Sequence, residues 1–278
     1  MRRVVRYLSV VVAITLMLTA ESVSIATAAV PPLQPIPGVA SVSPANGAVV
    51  GVAHPVVVTF TTPVTDRRAV ERSIRISTPH NTTGHFEWVA SNVVRWVPHR
   101  YWPPHTRVSV GVQELTEGFE TGDALIGVAS ISAHTFTVSR NGEVLRTMPA
   151  SLGKPSRPTP IGSFHAMSKE RTVVMDSRTI GIPLNSSDGY LLTAHYAVRV
   201  TWSGVYVHSA PWSVNSQGYA NVSHGCINLS PDNAAWYFDA VTVGDPIEVV
   251  GQRHWPRACA VVGPRQRVGV PTRARGLG

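Results

Sequence analysis

Short apolar runs alternate with turn-forming residues along most of the 278-residue chain. Val56-Val57-Val58-Thr59-Phe60, Ile74-Arg75-Ile76, Val93-Val94-Arg95-Trp96 and Val108-Ser109-Val110 have the length and β-branched or aromatic content of strands. Strands of this size and spacing, starting near Ala40, predict a small β-sandwich, with one helix-like piece at Asp66 to Ser73. From Asp123 a second block begins. Thr135 to Val138 and Val144 to Thr147 flank Asn141-Gly142, a pair that closes hairpins because both residues tolerate positive φ. Gly153 to Gly162 reads as a Pro-rich loop and Val173 to Leu184 as a hairpin around Asp176 to Thr179. Val198 to Trp202, Val205 to Val207 and Ile247 to Val250 read as strands. One helix is firmly marked: Ser230 is its N-cap, Pro231 takes the first helical position, and Ala234 to Val241 continue it. The fold class is therefore mainly β, with one short helix late in the chain.

Composition changes this picture mainly at the two ends. Arg2, Arg3 and Arg6 precede an apolar run from Leu8 to Ala20, and Ala26-Thr27-Ala28 follows as a small-residue cleavage pattern. Residues 1–28 thus read as a signal peptide, or as an uncleaved N-terminal membrane anchor, and the protein is expected to be exported to the cell envelope. Residues 29–38 form a Pro-rich linker, and residues 251–278 an Arg-rich tail without an acidic residue. The net charge of +8 sits in those ends. Residues 29–251 carry 15 basic and 15 acidic side chains, so the folded body lacks the basic excess of a nucleic-acid binder.

The candidate chemistry lies in Val207-His208-Ser209 and in Ser223-His224-Gly225-Cys226-Ile227-Asn228. A thiol attacks carbonyls as the thiolate, yet a free thiol titrates near about 8.5, so a neighbouring imidazole must take its proton. In Gly204-Val205-Tyr206-Val207-His208 the alternation of a strand sends Val205 and Val207 into the core, and Tyr206 and His208 to the opposite face, where a groove is expected. Gly225 permits a tight turn before Cys226, which presents backbone N–H groups to a developing oxyanion. Two other uses of these residues compete with this one. Cys226 and Cys259 are the two cysteines of the chain and a disulfide between them would leave no thiolate. A zinc site on His208, His224 and Cys226 lacks the closely spaced ligand pair of a zinc finger.

The segment Ser203 to Ser209 followed by Ser223 to Asn228 resembles the signature of the L,D-transpeptidase catalytic domain. The likeness runs over residues 123–250 and includes Ser151-Leu152-Gly153-Lys154-Pro155, Thr159-Pro160-Ile161-Gly162, Met175-Asp176-Ser177 and Pro211-Trp212-Ser213. Residues 39–122 resemble the Ig-like module that precedes this domain in actinobacterial members, through Trp88, Trp96-Val97-Pro98 and Tyr101-Trp102-Pro103. The resemblance implies Cys226 as nucleophile and His208 as its base and acid. It implies orientation of that imidazole by the Ser209 backbone, a part of the oxyanion hole for Gly225, and a shaping role for His224. Tyr190, Ser203, Gly204, Asn228 and Trp212 match substrate-contacting positions, and no metal or cofactor is implied. Ile180 stands where relatives often have an aromatic residue in a flap, and Glu114 to Thr121 reads as a shortened loop. The implied donor is a peptidoglycan tetrapeptide stem, the acceptor a diaminopimelate-containing stem, and β-lactams of the carbapenem type are implied acylating agents. An L,D-carboxypeptidase and an inactive wall-binding scaffold are the rival readings.

Overall fold

A computed structural model describes residues 36–251. The expectations for the signal peptide, nearly all of the linker, the Arg-rich tail and Cys259 lie outside those residues. The first part of the described chain is a sandwich of two four-stranded sheets. Its strands are β1 (Val39–Ser43), β2 (Val49–Val50), β3 (Val56–Phe60), β4 (Ile74–Ser77), β5 (Gly84–Ala90), β6 (Val93–Pro98), β7 (Arg107–Val112) and β8 (Leu115–Thr121). One sheet runs β1-β3-β6-β5 and the other β2-β8-β7-β4. Every second residue of β3 (Val56, Val58, Phe60) and of β7 (Val108, Val110, Val112) is buried, as the alternation predicts. Trp102 fills the centre, stacked on Trp96 at 5.2 Å and edge-on to Phe119 at 6.0 Å. Its indole N–H donates to the His54 carbonyl at 2.9 Å, so the large ring carries no unpaired polar atom into the core. Helix α1 (Arg67–Ser73) starts where Asp66 accepts from the Ala69 N–H. The segment Glu114 to Thr121 is mainly strand β8, paired along β7 inside its sheet, and not a loop; Leu115, Thr116 and Glu120 are exposed while Phe119 and Thr121 point in.

The second part has a five-stranded sheet, β11-β10-β9-β17-β12, and a four-stranded sheet, β13-β14-β15-β16. The strands are β9 (Leu125–Ser130), β10 (Thr135–Arg140), β11 (Glu143–Pro149), β12 (Gly162–His165), β13 (Ser168–Asp176), β14 (Leu191–Arg199), β15 (Tyr206–Ser209), β16 (Ile227–Leu229) and β17 (Pro246–Val250). Asn141 and Gly142 have φ of 51° and 92° and close the β10–β11 hairpin. Helix α2 (Pro231–Ala240) begins where the Ser230 hydroxyl caps the Asn233 N–H, as the sequence predicts. Its Tyr237 meets Phe136 edge-on at 4.8 Å. The hairpin expected over Val173 to Leu184 is different. Strand β13 ends at Asp176, a 3₁₀ turn spans Ser177–Ile180, and the returning strand is β14, which starts only at Leu191. Residues 181–190 form a loop because Gly181 takes a left-handed φ of 78° and turns the chain out of the sheet. The strand expected over Val198 to Trp202 is the end of β14, which stops at Arg199.

The sandwich and the second part meet through main-chain bonds. Gly51 donates to the Val243 carbonyl at 2.9 Å and Ala53 to the Gly244 carbonyl at 2.8 Å. A Cβ on Gly51 would fall 2.0 Å from the Asp245 nitrogen, so the seam requires glycine there. Tyr101 Oη donates to Glu248 Oε1 across the same seam at 3.1 Å.

Candidate active site

Strands β15 and β16 are parallel, with Val207 opposite Ile227, His208 opposite Asn228 and Ser209 opposite Leu229. Extending that register by one residue sets Cys226 beside Tyr206. Since paired residues share a face of a sheet, Cys226 and Asn228 lie on the same face as Tyr206 and His208. The opposite face carries Val207, Ile227 and Leu229 into the core. Thiol and imidazole are therefore diagonal neighbours on adjacent strands. His208 is only 2 % exposed, so it is buried instead of facing the open groove expected for it. The reason is that β15 lies inside its sheet, between β14 and β16, and Trp212 stands 5.9 Å from the imidazole ring.

His208 Nδ1 donates to the Ser209 carbonyl at 2.8 Å. A carbonyl can only accept, so the neutral ring carries its proton on Nδ1 and leaves Nε2 as a base. Burial pulls the His208 pKa down to about 4, partly opposed by that bond. Cys226 is a free thiol. Burial pushes its pKa up to about 11, with the Tyr206 backbone N–H acting in the other direction. Sγ donates to the Gly204 carbonyl at 3.6 Å. The resting pair is thus a neutral thiol and a neutral imidazole.

The turn into Cys226 is fixed from three sides. Gly225 has φ 123°, a conformation open to glycine. Its N–H donates to Ser223 Oγ at 3.1 Å, and Ser223 Oγ donates in turn to the Cys226 carbonyl at 2.6 Å. Thr159 Oγ1 donates to the Gly225 carbonyl at 2.9 Å and accepts from the Gly153 N–H at 2.9 Å. The Gly225 N–H expected at an oxyanion is therefore already engaged, because the Ser223 hydroxyl lies within its reach. The roles of Thr159 and Ser223 were not read from the sequence; a Thr in the Pro-rich loop shows its meaning only once the loop closes on the cysteine turn.

The remaining residues gather around this centre. Asn228 Nδ2 donates to Ser213 Oγ at 3.1 Å, while Asn228 Oδ1 is buried with no partner among the described residues. Gly204 closes the Thr201–Gly204 turn at φ 97° and supplies the carbonyl beneath the thiol. Ser203 is exposed, with its hydroxyl bonded to Thr201 Oγ1 at 2.8 Å. The Tyr190 ring lies 4.9 Å from the His224 ring. Burial raises the Tyr190 pKa, and the Cys226 sulfur adds to the rise, which places the phenol in the thiol's field.

A model described as the L,D-transpeptidase catalytic domain matches residues 126–249, and one described as a bacterial Ig domain matches residues 21–117. Probable L,D-transpeptidase 3 of Mycobacterium tuberculosis is 50% identical over 232 residues, covering 76% of this chain and 86% of that protein. The chain belongs to the L,D-transpeptidase family. The crystal structure of M. tuberculosis L,D-transpeptidase 1 is 91% identical, with TM-score 0.69, and covers 78% of this chain and all 100% of its own. The M. tuberculosis L,D-transpeptidase 3 structure with a faropenem-derived adduct is 51% identical, with TM-score 0.72, covering 76% of this chain and 97% of that one. An L,D-transpeptidase of this family is a cysteine-dependent enzyme, and Cys226 is the one cysteine among the described residues.

Proposed function

We propose that this L,D-transpeptidase forms 3→3 cross-links in peptidoglycan through a thioester on Cys226. The observation that carries the reading is the shared face of Cys226 and His208 on paired strands, with the His208 tautomer set by Ser209. With the thiol near about 11 and the imidazole near about 4, a free thiolate is scarce at neutral pH. The proton therefore passes from Sγ to His208 Nε2 as sulfur attacks, not before. Sγ bonds to the carbonyl carbon between the third residue of a tetrapeptide stem and its terminal D-Ala. The C–N bond breaks, and D-Ala leaves with the proton from Nε2. The side-chain amine of a diaminopimelate on a second stem then attacks the thioester carbon, the C–S bond breaks, the amine's proton passes through the same imidazole to the sulfur, and the new amide forms.

The Cys226 N–H and the Tyr190 hydroxyl are the donors assigned to the oxyanion, since the Gly225 N–H is held by Ser223. Asn228 is buried, so it supports the substrate face from beneath through its bond to Ser213. Gly204 and Trp212 line the approach, with Ser203 at its rim. His224 shapes the site and packs against Tyr190. No cofactor is called for, because the acyl group is stored on sulfur. The faropenem-derived adduct on the relative supports acylation of Cys226 by β-lactams, and carbapenems are the type expected to react. We place the enzyme in the cell envelope on the strength of residues 1–28, either released or held by them. Among the described residues no helix is long and apolar enough to cross a membrane.

Purified enzyme incubated with disaccharide-tetrapeptide decides the reaction. Cross-linked dimer with released D-Ala is expected. Tripeptide without dimer would make water the acceptor, and neither product would make the chain a scaffold. A carbapenem adduct seen by mass spectrometry and absent in Cys226→Ala is the matching test of the nucleophile.

A further inference from the structure

Residues 181–190 form a loop folded upon itself. Ser186 donates to the Pro183 carbonyl at 3.1 Å and Gly189 to the Ser186 carbonyl at 3.0 Å. A Cβ on Gly189 would fall 2.4 Å from the Pro183 carbonyl oxygen, so the loop is packed tightly enough to carry Asp188 and Tyr190 as one piece. Its base is tied to Ser177: Tyr190 donates to Ser177 Oγ at 3.0 Å, and Ser177 donates to the Tyr190 carbonyl at 2.9 Å. Beyond residues 176–190, the polar contacts of this loop among the described residues converge on Asp188. Lys154 Nζ donates to Asp188 Oδ1 at 2.6 Å, and His224 Nε2 stands 3.6 Å from the same oxygen. Lys154 belongs to the rigid side. Its N–H donates to the Ser223 carbonyl at 2.9 Å, and the adjacent Gly153 is bonded to Thr159, which holds the Gly225 carbonyl.

We propose that the Lys154–Asp188 ion pair is a latch that holds the Tyr190 loop down over the Cys226 turn, making Lys154 and Asp188 positioning residues that act through Tyr190. His224 is the surface on which Tyr190 lands. The pair is partly exposed, with side-chain exposures of 25% for Lys154 and 45% for Asp188, so it is weak enough to open for a substrate and is screened by salt. Opening removes the Tyr190 ring from the His224 ring and widens access to the partly exposed Cys226. The inference rests on Cys226 as the nucleophile for its meaning, but its test reads sulfur accessibility alone, so it can fail without transpeptidation failing.

The test uses the chain with Cys259→Ser, leaving one thiol, and the uncharged reagent 4,4′-dithiodipyridine. Thiol reaction rates are followed at low and high sodium chloride for the parent, Asp188→Asn, Lys154→Met, the double variant and the charge swap Lys154→Asp with Asp188→Lys. Each single variant is expected to react about two- to fivefold faster, the scale of an exposed ion pair. The double variant should match the singles, the swap should fall back toward the parent, and salt should accelerate the parent and the swap alone. Melting temperatures close to the parent's show that the variants fold. Unchanged rates in the singles, rates that multiply in the double variant, or a parent indifferent to salt would each overturn the latch.

Discussion

The two β-rich parts of the molecule treat buried polar groups in opposite ways. In the sandwich the buried polar side chains are Thr106 and Thr121, near the strand ends, around a core of valines, Trp96, Trp102 and Phe119. In the catalytic part, Ser151, Thr159, Ser177, His208, Ser213, Gln217, Ser223 and Asn228 are all buried, and most of them surround the cysteine turn. Each buried hydroxyl or amide costs free energy unless it is bonded, so a core optimised for stability alone excludes them. The sandwich follows that rule at all but one side-chain atom among the described residues, Glu117 Oε2 being buried without a partner. The catalytic part buries such groups and bonds them to one another and to the backbone, with Asn228 Oδ1 the exception among those named, and so holds a thiol, an imidazole and a turn in one arrangement.

The sharpest way to break this comparison is to remove the reacting groups. Cys226→Ala and His208→Ala are each expected to lower transpeptidation by about 10³-fold or more, while the Cys226→Ala protein melts at or above the parent temperature. A melting temperature far below the parent's would mean that the site supports the fold after all. Next in size is Trp102→Ala in the sandwich, expected to destabilise by about 3–5 kcal/mol in denaturant unfolding through the cavity it leaves. Turnover per folded molecule should hold. If turnover fell in step with stability, the sandwich would be shaping the site directly.

Asp245, at the seam, has its pKa raised to about 7, burial being the main cause and the Thr242 N–H acting against it. The folded state therefore keeps a proton that the unfolded chain releases between about 4 and 7, and stability falls as pH rises through that window. Asp245→Asn stays neutral, so its stability relative to the parent should grow by roughly 1.4 kcal/mol per pH unit across the window and level off above it. Parallel urea curves at several pH values check this; a constant difference would remove Asp245 from the account. The smallest signal is optical. In a Cys259→Ser chain, thiolate absorbance, taken as the difference from the same chain carrying Cys226→Ala so that the tyrosines cancel, should be missing at neutral pH and emerge toward about 11, the value to which burial drives Cys226. Thiolate present at pH 7 would mean that His208 already holds its proton in the resting enzyme.

What could be read in advance follows from how local each signal is. The Asn141-Gly142 turn and the Ser230-Pro231 helix start are decided by φ preferences and caps within a few residues, and both form as read. That Cys226 and His208 fall on one face follows from short-range signals, a strand for His208 and a glycine turn for Cys226. The start of β14 at Leu191 was missed, since its partner in the sheet, Asp176, lies across a loop whose length no local pattern fixes. The burial of His208 depends on β15 lying between two other strands, which alternation along one strand does not reveal. The Lys154–Asp188 pair joins residues 34 apart in two irregular segments, and nothing in either segment names the other.

The parallel ladder between β15 and β16 carries one more consequence. Because the ladder between the strands and the Ser223–Gly225 turn together fix how far the imidazole stands from the sulfur, that distance does not depend on the length of the chain between residues 214 and 222. Evolution or an engineer can vary the exposed positions of that stretch, such as Val214 and Tyr219, to suit a different peptide while the reacting atoms keep their places.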